Sequence, residues 1–175
     1  MAVLGVDDFK AKLRGGGARP NLFKVTINYP AVAGGDTELT SFLCETAQLP
    51  GSTIGVIAIP FRGRQLKVAG DRVFQSWTVS IINDTDFNVR NSMERWMNSI
   101  NAHSANTGLT SPITYESDLI VEQLDRDGSS LKKYTLRGAF PTDLGAIDLS
   151  YADGDTIERF QTTFEYQYFD TDTVD

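Results

Sequence analysis

The sequence has few of the residues on which catalytic and disulfide-bonded proteins depend. Its 175 residues include a single cysteine, Cys44, and a single histidine, His103. One cysteine excludes an internal disulfide and leaves nothing for a thiolate metal site. A catalytic histidine needs a nucleophile or an orienting acid, and no motif supplies one for His103. The sequence therefore predicts no catalytic residue, no metal site and no cofactor site.

Motifs for binding phosphate, calcium, nucleic acid or a membrane are also missing. The triple glycine at 15–17 lacks the spacing of a phosphate loop, and the acidic turns at 125–127 and 153–155 lack the remaining ligands of a calcium loop. No basic stripe is interleaved with aromatic residues, as in proteins that read nucleic-acid sequence. No apolar run approaches the roughly 20 residues that span a bilayer, and the N-terminus carries acids where a secretory signal carries bases. These absences favour a structural or binding domain of cytosolic origin.

The charge that is present is unevenly distributed. The net charge is −7, and residues 153–175 contribute −6 of it, through seven acids against Arg159 alone. One stretch is clearly basic, at +3 once Asp71 is subtracted, and its cations are Arg62, Arg64, Lys67 and Arg72. Opposite charges on one chain suit contact between identical subunits, so we predict that these cations lie at such contacts. A solvated acidic tail is the alternative explanation of the C-terminal charge.

Alternation of apolar and polar residues predicts a mainly β protein that forms one domain over residues 1–175. The stretch with the clearest structural signals is 68–84. Gly70 and Asp71 predict a turn there, and Trp77 lies on the apolar side of a long strand. Further strands are predicted at 21–29, 38–46, 118–124, 132–140, 144–151 and 156–169. The side chains expected to anchor the fold are Phe23, Trp77, Trp96 and Phe164.

Three segments depart from this pattern. Residues 1–17 are predicted to be a flexible N-terminal segment with a short helix at 6–14. Residues 86–103 are predicted to form the one flanking helix, because apolar side chains recur on one side of it. Residues 52–72 read as an extended arm or hairpin with both apolar and basic surface. Such an arm has little use on a monomer, so we expect it to reach toward a neighbour.

Taken together, these segments resemble the tail tube proteins of contractile-tailed, T4-like bacteriophages (myoviruses). The matching stretches are ARPNLFKV (18–25), Cys44 followed by Ala47, Leu49 and Pro50, VAGDRVFQSWTVSIIND (68–84) followed by Arg90 and Trp96, GAFPTDLGAIDLSY (138–151) and TIERFQTTFEYQYF (156–169). No single motif is decisive, but their order and spacing together are specific.

The resemblance implies a β-sandwich or barrel-like protomer with one flanking helix. Protomers would form hexameric rings around a continuous inner β-barrel, and rings would stack into a hollow tube within the tail of the virion. Implied partners are further copies of the chain, the tail sheath protein, baseplate and tail terminator proteins, and double-stranded DNA passing through the lumen. Assembly would take place in the cytoplasm of the bacterial host.

Within that tube, Asp148 and Glu165 are our candidates for acids facing the lumen, because both are predicted on polar faces of alternating strands. The same architecture also serves the inner tubes of type VI secretion systems and phage-like bacteriocins, which is the main alternative function. A β-sandwich decoration or adhesin protein is a lesser alternative.

Overall fold

The computed structural model describes residues 5–173, and the strands dominate it. The helices are α1 (Val6–Lys12), α2 (Thr37–Leu43), α3 (Asn88–Ile100) and α4 (Pro112–Tyr115), with a short 3-10 helix at Arg14–Gly16. The strands are β1 (Phe23–Ile27), β2 (Cys44–Ala47), β3 (Ser52–Phe61), β4 (Arg64–Phe74), β5 (Trp77–Ile82), β6 (Ser117–Leu124), β7 (Ser130–Leu144), β8 (Arg159–Glu165) and β9 (Tyr168–Thr171). Residues 1–4 of the predicted N-terminal segment and residues 174–175 lie outside the described residues.

One bent sheet forms the body of the molecule. Within residues 5–173 it has seven strands in the order β1-β6-β7-β8-β5-β2, with β9 also paired to β7. Strand β7 links the two halves, because its first part pairs with β6 and β9 and its last part pairs with β8. Gly138 lies between these parts with a φ of 61°, a value that glycine adopts without strain. The sheet therefore folds over on itself at β7, giving the sandwich-like protomer expected.

The core fills the space that this bend encloses. The largest fully buried side chains include Trp77 and Phe164, whose ring centroids are 5.9 Å apart, and Trp96, whose ring is 5.9 Å from that of Phe164. Helix α3 covers the core with the buried Val89 and Met93, as its apolar stripe predicts. Its first turn is capped by Asp84, whose Oδ1 accepts a hydrogen bond from the backbone N of Asn88 at 3.0 Å.

Each core tryptophan also ties a loop to the body. Trp77 Nε1 donates to the backbone oxygen of Gln48 at 2.6 Å, and Trp96 Nε1 donates to that of Tyr115 at 2.6 Å. An indole buried without a partner would lose the hydrogen bond it makes to water in the unfolded chain. These bonds therefore satisfy both rings and fix the segments before β3 and β6.

The predicted strand at 38–46 is wrong for most of its length. Residues 37–43 form α2, because the Asp36 side chain accepts hydrogen bonds from the backbone N of Glu38 and Leu39 and so starts a helix. Thr40 is buried and shares a hydrogen bond of 2.9 Å with the Tyr29 hydroxyl. Strand β2 begins only at Cys44 and pairs with β5, and β1 pairs with β6 instead.

The predicted strand at 144–151 is also wrong beyond its first residue. The last ladder hydrogen bond here runs from Gly145 N to Gln161 O at 2.8 Å, after which residues 145–158 form a loop. Alternation at Leu149 and Tyr151 suggested a buried face, but both side chains are exposed. The single strand predicted over 156–169 divides into β8 and β9. Its predicted alternation is correct from Phe160 to Tyr166 but wrong at Tyr168, which is half-exposed while Phe169 packs on the core. None of the helices within residues 5–173 is long and apolar enough to cross a membrane.

The bond from Trp77 to Gln48 gives a test of the core. Trp77→Phe keeps an aromatic ring against Phe164 but removes the donor and part of the ring volume, so the free energy of unfolding should fall by about 2 kcal/mol. Urea denaturation followed by circular dichroism measures this change. Tyr168→Phe, at a half-exposed ring, is the matched control and should change stability by less than about 0.5 kcal/mol. Equal stability of the two variants would contradict the anchoring role of Trp77.

Candidate assembly surface

Strands β3 and β4 form a hairpin that projects from the body, which we call the arm (residues 52–74). They pair with each other in an antiparallel ladder that ends at Phe61 and Arg64. Arg62 and Gly63 make the turn with φ values of 46° and 77°. Positive φ at both central residues is what a two-residue type I′ turn requires, and this turn matches the twist of a hairpin. The arm is therefore a regular hairpin that continues two residues beyond its predicted end at residue 72.

The body leaves the arm uncovered. The arm is a separate two-stranded sheet, and every residue of β3 is exposed. Ten residues at roughly 3.3 Å each give β3 a length of about 33 Å, about the diameter of a small domain. The tip of the arm can therefore contact only another molecule.

The two faces of the arm differ in character. Side chains that alternate along a strand, and their cross-strand partners, share a face. One face, the apolar face, carries Ile57, Ile59, Phe61, Leu66 and Val68, which are between 44% and 67% exposed, and Arg64, the cross-strand partner of Phe61, lies at its tip end. The opposite face is mixed and carries Ile54, Val56, Ala58, Pro60, Gln65, Lys67, Ala69 and Arg72. A continuous exposed apolar face of this kind marks a protein–protein contact.

Gly70 and Asp71 lie within β4 and do not form the predicted turn. The ladder shifts register between Ile54–Arg72 and Val56–Ala69, which places these two residues opposite Gly55 in a β-bulge. A Cβ at position 70 would lie 3.3 Å from the Gly55 backbone, a tight contact that glycine avoids where the strands approach closely. The turn that sets the reach of the arm is at Arg62 and Gly63.

The four predicted contact cations are all on the arm, at its tip and along β4. Arg62 lies over the Phe61 ring at 5.3 Å from its centroid, and Arg72 Nη1 donates to Ser52 Oγ at 3.1 Å. Arg64 and Lys67 are exposed. In the part of the chain that the structure describes, none of the four forms a salt bridge. Their positive charge is thus available to a partner.

The two predicted lumen acids are not brought together on one sheet. Glu165 is the exposed last residue of β8, between the buried Phe164 and Tyr166. Asp148 is exposed in the loop at 145–158, so its predicted place on a strand is wrong. The reason is the exposure of Leu149 and Tyr151, which leaves no burial to hold a strand there.

The four predicted fold anchors differ in burial. Trp77, Trp96 and Phe164 are at most 1% exposed. Phe23 is partly buried and lines a groove of about 640 Å³ beside the exposed Phe42. That groove holds Lys24, Glu38 and hydroxyl groups but no nucleophile paired with a base.

Groups that could do chemistry are sparse. Among residues 5–173 no three His, Cys, Asp or Glu side chains are grouped as a metal site requires. Burial raises the pKa of the Cys44 thiol to about 12, which opposes formation of the reactive thiolate. His103 is exposed just beyond α3, where its backbone N donates to Asn98 Oδ1.

Sequence reasoning missed one group of contacts, at the base of the arm. Phe74 is the last residue of β4, and its ring centroid is 5.3 Å from that of Phe169 on β9. Phe74 fell on the polar side of the predicted strand at 68–84. The available signal was an aromatic residue among polar ones, which indicates that Phe74 packs against another element at that point.

Comparison with solved structures places this fold in a class. Contractile injection system chains share it: the chain matches one in the sheath/tube terminator of the extracellular system PVC, with a TM-score of 0.66 and 16% identity over 89% of this chain and 96% of that one. It also matches a chain of the PVC sheath–tube complex, with a TM-score of 0.60 and 15% identity over 95% and 97%. At these identities the likeness establishes the fold.

Sequence comparison gives the family. The model of the phage tail tube protein family matches residues 18–172, and the chain belongs to that family. It is 33% identical to the tail tube protein of Serratia phage KSP90 over 168 residues, 94% of each chain. It is also 33% identical to tail tube protein gp19 of Enterobacteria phage T4 over 169 residues, 94% of this chain and 99% of gp19. The expected family is confirmed, and it is a family of structural proteins.

The burial of Cys44 gives a prediction about its reactivity. Its pKa is raised from 9.0 to about 12 on folding, so the stability this adds is present below pH 9 and is lost as the pH rises toward 12. At pH 8 the native thiol should react with a disulfide reagent at least about ten-fold more slowly than the urea-unfolded chain. Equal rates in the two states would show that the thiol is not shielded.

Proposed function

We propose that copies of this chain assemble into hexameric rings that stack into the hollow tube of a contractile phage tail and conduct DNA to the host. The observation that carries the proposal is the exposed apolar face of the arm. Burial of a Val, Leu, Ile or Phe side chain contributes roughly 1.5–3 kcal/mol, so half-exposed side chains of this number can add several kcal/mol to an interface. A monomer gains none of this.

The ends of the main sheet support the same conclusion. Strands β1 and β2 are its end strands, and each has a neighbour on one side only. An unpaired strand edge invites pairing with another chain, and closure into a ring removes it. Contact between two different faces of a subunit also propagates into an open filament when the copies do not close on themselves. Ring closure and stacking can therefore use the open edges of β1 and β2 and the apolar face of the arm.

Sheath, baseplate and terminator proteins are the other proposed partners. The fold is shared with chains from PVC structures that contain a sheath–tube complex and a sheath/tube terminator, and with one from the baseplate of the anti-feeding prophage. A tube built from this chain would meet the corresponding proteins along its outside and at its two ends. It would then be a component of the virion tail, assembled in the bacterial cytoplasm.

The acidic charge suits a conduit for DNA. Six copies at −7 each give roughly −42 per ring. Acids lining the lumen would repel DNA phosphates, whereas a basic lumen would bind them. Glu165 and Asp148 are the proposed lining acids, since both are exposed in the protomer. A structure of the assembled tube in which both side chains point outward would reject this assignment.

The alternative is the inner tube of an injection system that carries another cargo. The fold alone does not distinguish it, and the phage relatives at 33% identity favour DNA. Neighbouring genes separate the two possibilities. Sheath, baseplate and terminase genes indicate a phage, and genes for a secretion ATPase and membrane complex indicate a secretion system.

Charge reversal on the arm tests assembly. Arg62→Glu combined with Arg64→Glu should stop tube growth, because it replaces the cations at the tip while leaving the core unchanged. The free energy of unfolding should change by less than about 0.5 kcal/mol. Electron microscopy scores the tubes, and urea denaturation scores the fold.

Arg19→Glu combined with Arg126→Glu is the matched control, since both arginines are exposed and lie outside the arm. This variant changes the net charge equally and should still form tubes. Unimpaired tubes from the arm variant would count against a role for these cations. Loss of tubes in both variants would attribute the effect to net charge.

A further inference from the structure

Four aromatic rings meet at the base of the arm, and we call them the root cluster: Phe74, Tyr134, Tyr166 and Phe169. Phe74 ends β4, and its ring centroid lies 5.3 Å from that of Phe169 and 6.0 Å from that of Tyr166. Phe169 lies 5.8 Å from Tyr134 on β7, edge to face. Ring pairs in these geometries attract beyond the area they bury. The arm is thus joined to the C-terminal strand through side chains.

Few other bonds fix the direction in which the arm projects from the body. Within residues 5–173 its two strands pair only with each other. Across its base, Gln75 N donates to Gly51 O at 3.1 Å, and this bond joins the two arm strands to each other rather than to the body. The bond from Trp77 to Gln48 fixes the chain next to the arm. Phe74 is a side chain of the arm that packs against the core of the body, so its contacts bear on the direction of the arm.

Strand β9 supplies the ring nearest to Phe74, and β9 is weakly held. It is four residues long, and within residues 5–173 its ladder partner is β7. Its Asp170 pairs with Arg137 at 2.7 Å, and Arg137 also pairs with Asp118 on β6 at 2.6 Å. Just beyond β9, Asp172 pairs with Lys132 at 2.5 Å, and partly exposed pairs of this kind contribute modestly to stability. A short edge strand with surface pairs opens more readily than the core strands. Phe169 is the ring that β9 contributes to the root cluster.

We propose that β9 is a clamp that fixes the direction of the arm, so that the arm can bind a neighbouring subunit only while this C-terminal strand is docked. The claim that the arm binds a neighbouring subunit rests on the proposed function. The claim that β9 fixes the direction of the arm does not. The strands of the core all precede β9 in the chain. In this proposal a protomer with β9 undocked has a folded body and an arm whose direction is not fixed.

The direct test measures the arm in unassembled protein. Nitroxide labels at Gln65→Cys near the tip and Glu94→Cys on α3, in a Cys44→Ser background, report the distance between arm and body. The measurement uses the full chain at a concentration where sedimentation shows monomers. Phe169→Ala should broaden the distance distribution at least two-fold, and Phe169→Leu, which keeps part of the contact, should broaden it less.

Phe140→Ala is the matched control. Phe140 makes an edge-to-face pair with Tyr115 at 5.8 Å, outside the root cluster, and the variant should leave the distribution as narrow as in the parent. A distribution that stays narrow in both Phe169 variants would overturn the clamp. So would equal broadening in Phe140→Ala, because the effect would then be general loosening. If Phe169→Ala does not fold, Phe169→Leu alone decides between these outcomes.

Tube growth separates the clamp from the proposed function. If the parent chain forms tubes, Phe169→Ala should slow their growth at least ten-fold while its circular dichroism spectrum is retained. Tubes that grow at the parent rate, with a narrow distribution, would overturn the clamp and leave the tube intact. A parent chain that forms no tubes would overturn the proposed function, and the distance measurement would still test the clamp.

Discussion

The uncovered apolar face of the arm is the constraint on which the rest of the molecule depends. An isolated two-stranded hairpin is marginally stable in water, and this one presents Ile57, Ile59 and Phe61 to solvent. The apolar surface is regular, ordered by a type I′ turn and a bulge, so it is a built feature of the fold. Such a surface suits a subunit of a larger assembly, as proposed above, and membership of the phage tail tube family fits that proposal.

The body supplies the stability that the arm lacks. Its core packs Trp77, Trp96 and Phe164 within the bend of the sheet at β7. The arm is attached outside this core, through Phe74 and the backbone next to Trp77. If the arm mediates assembly as proposed, residues of the arm can be changed to test assembly without removing a residue of the core.

Much of the body could be predicted from the sequence, because the alternation of apolar and polar residues along a strand or helix indicates which side chains are buried. The alternating residues of 156–169 gave the buried Phe160 and Phe164 correctly, and the apolar stripe of α3 did the same. Helix α2 was missed because the Asp36 cap outweighs the strand-like composition that follows it. The loop at 145–158 was missed because its apolar side chains are exposed in the protomer, where periodicity suggests burial. The arm was expected from its mixture of apolar and basic residues, but its bulge at Gly70 was taken for a turn. The contact of Phe74 with Phe169 joins residues far apart in the chain, and no local pattern encodes it.

The most direct test is a cryo-electron microscopy reconstruction of the purified full-length chain after assembly. Stacked hexameric rings are expected, with the apolar face of each arm buried against a neighbouring copy and a lumen wide enough for double-stranded DNA. Persistent monomers would contradict this conclusion. So would a tube in which Ile57, Ile59 and Phe61 remain exposed to solvent.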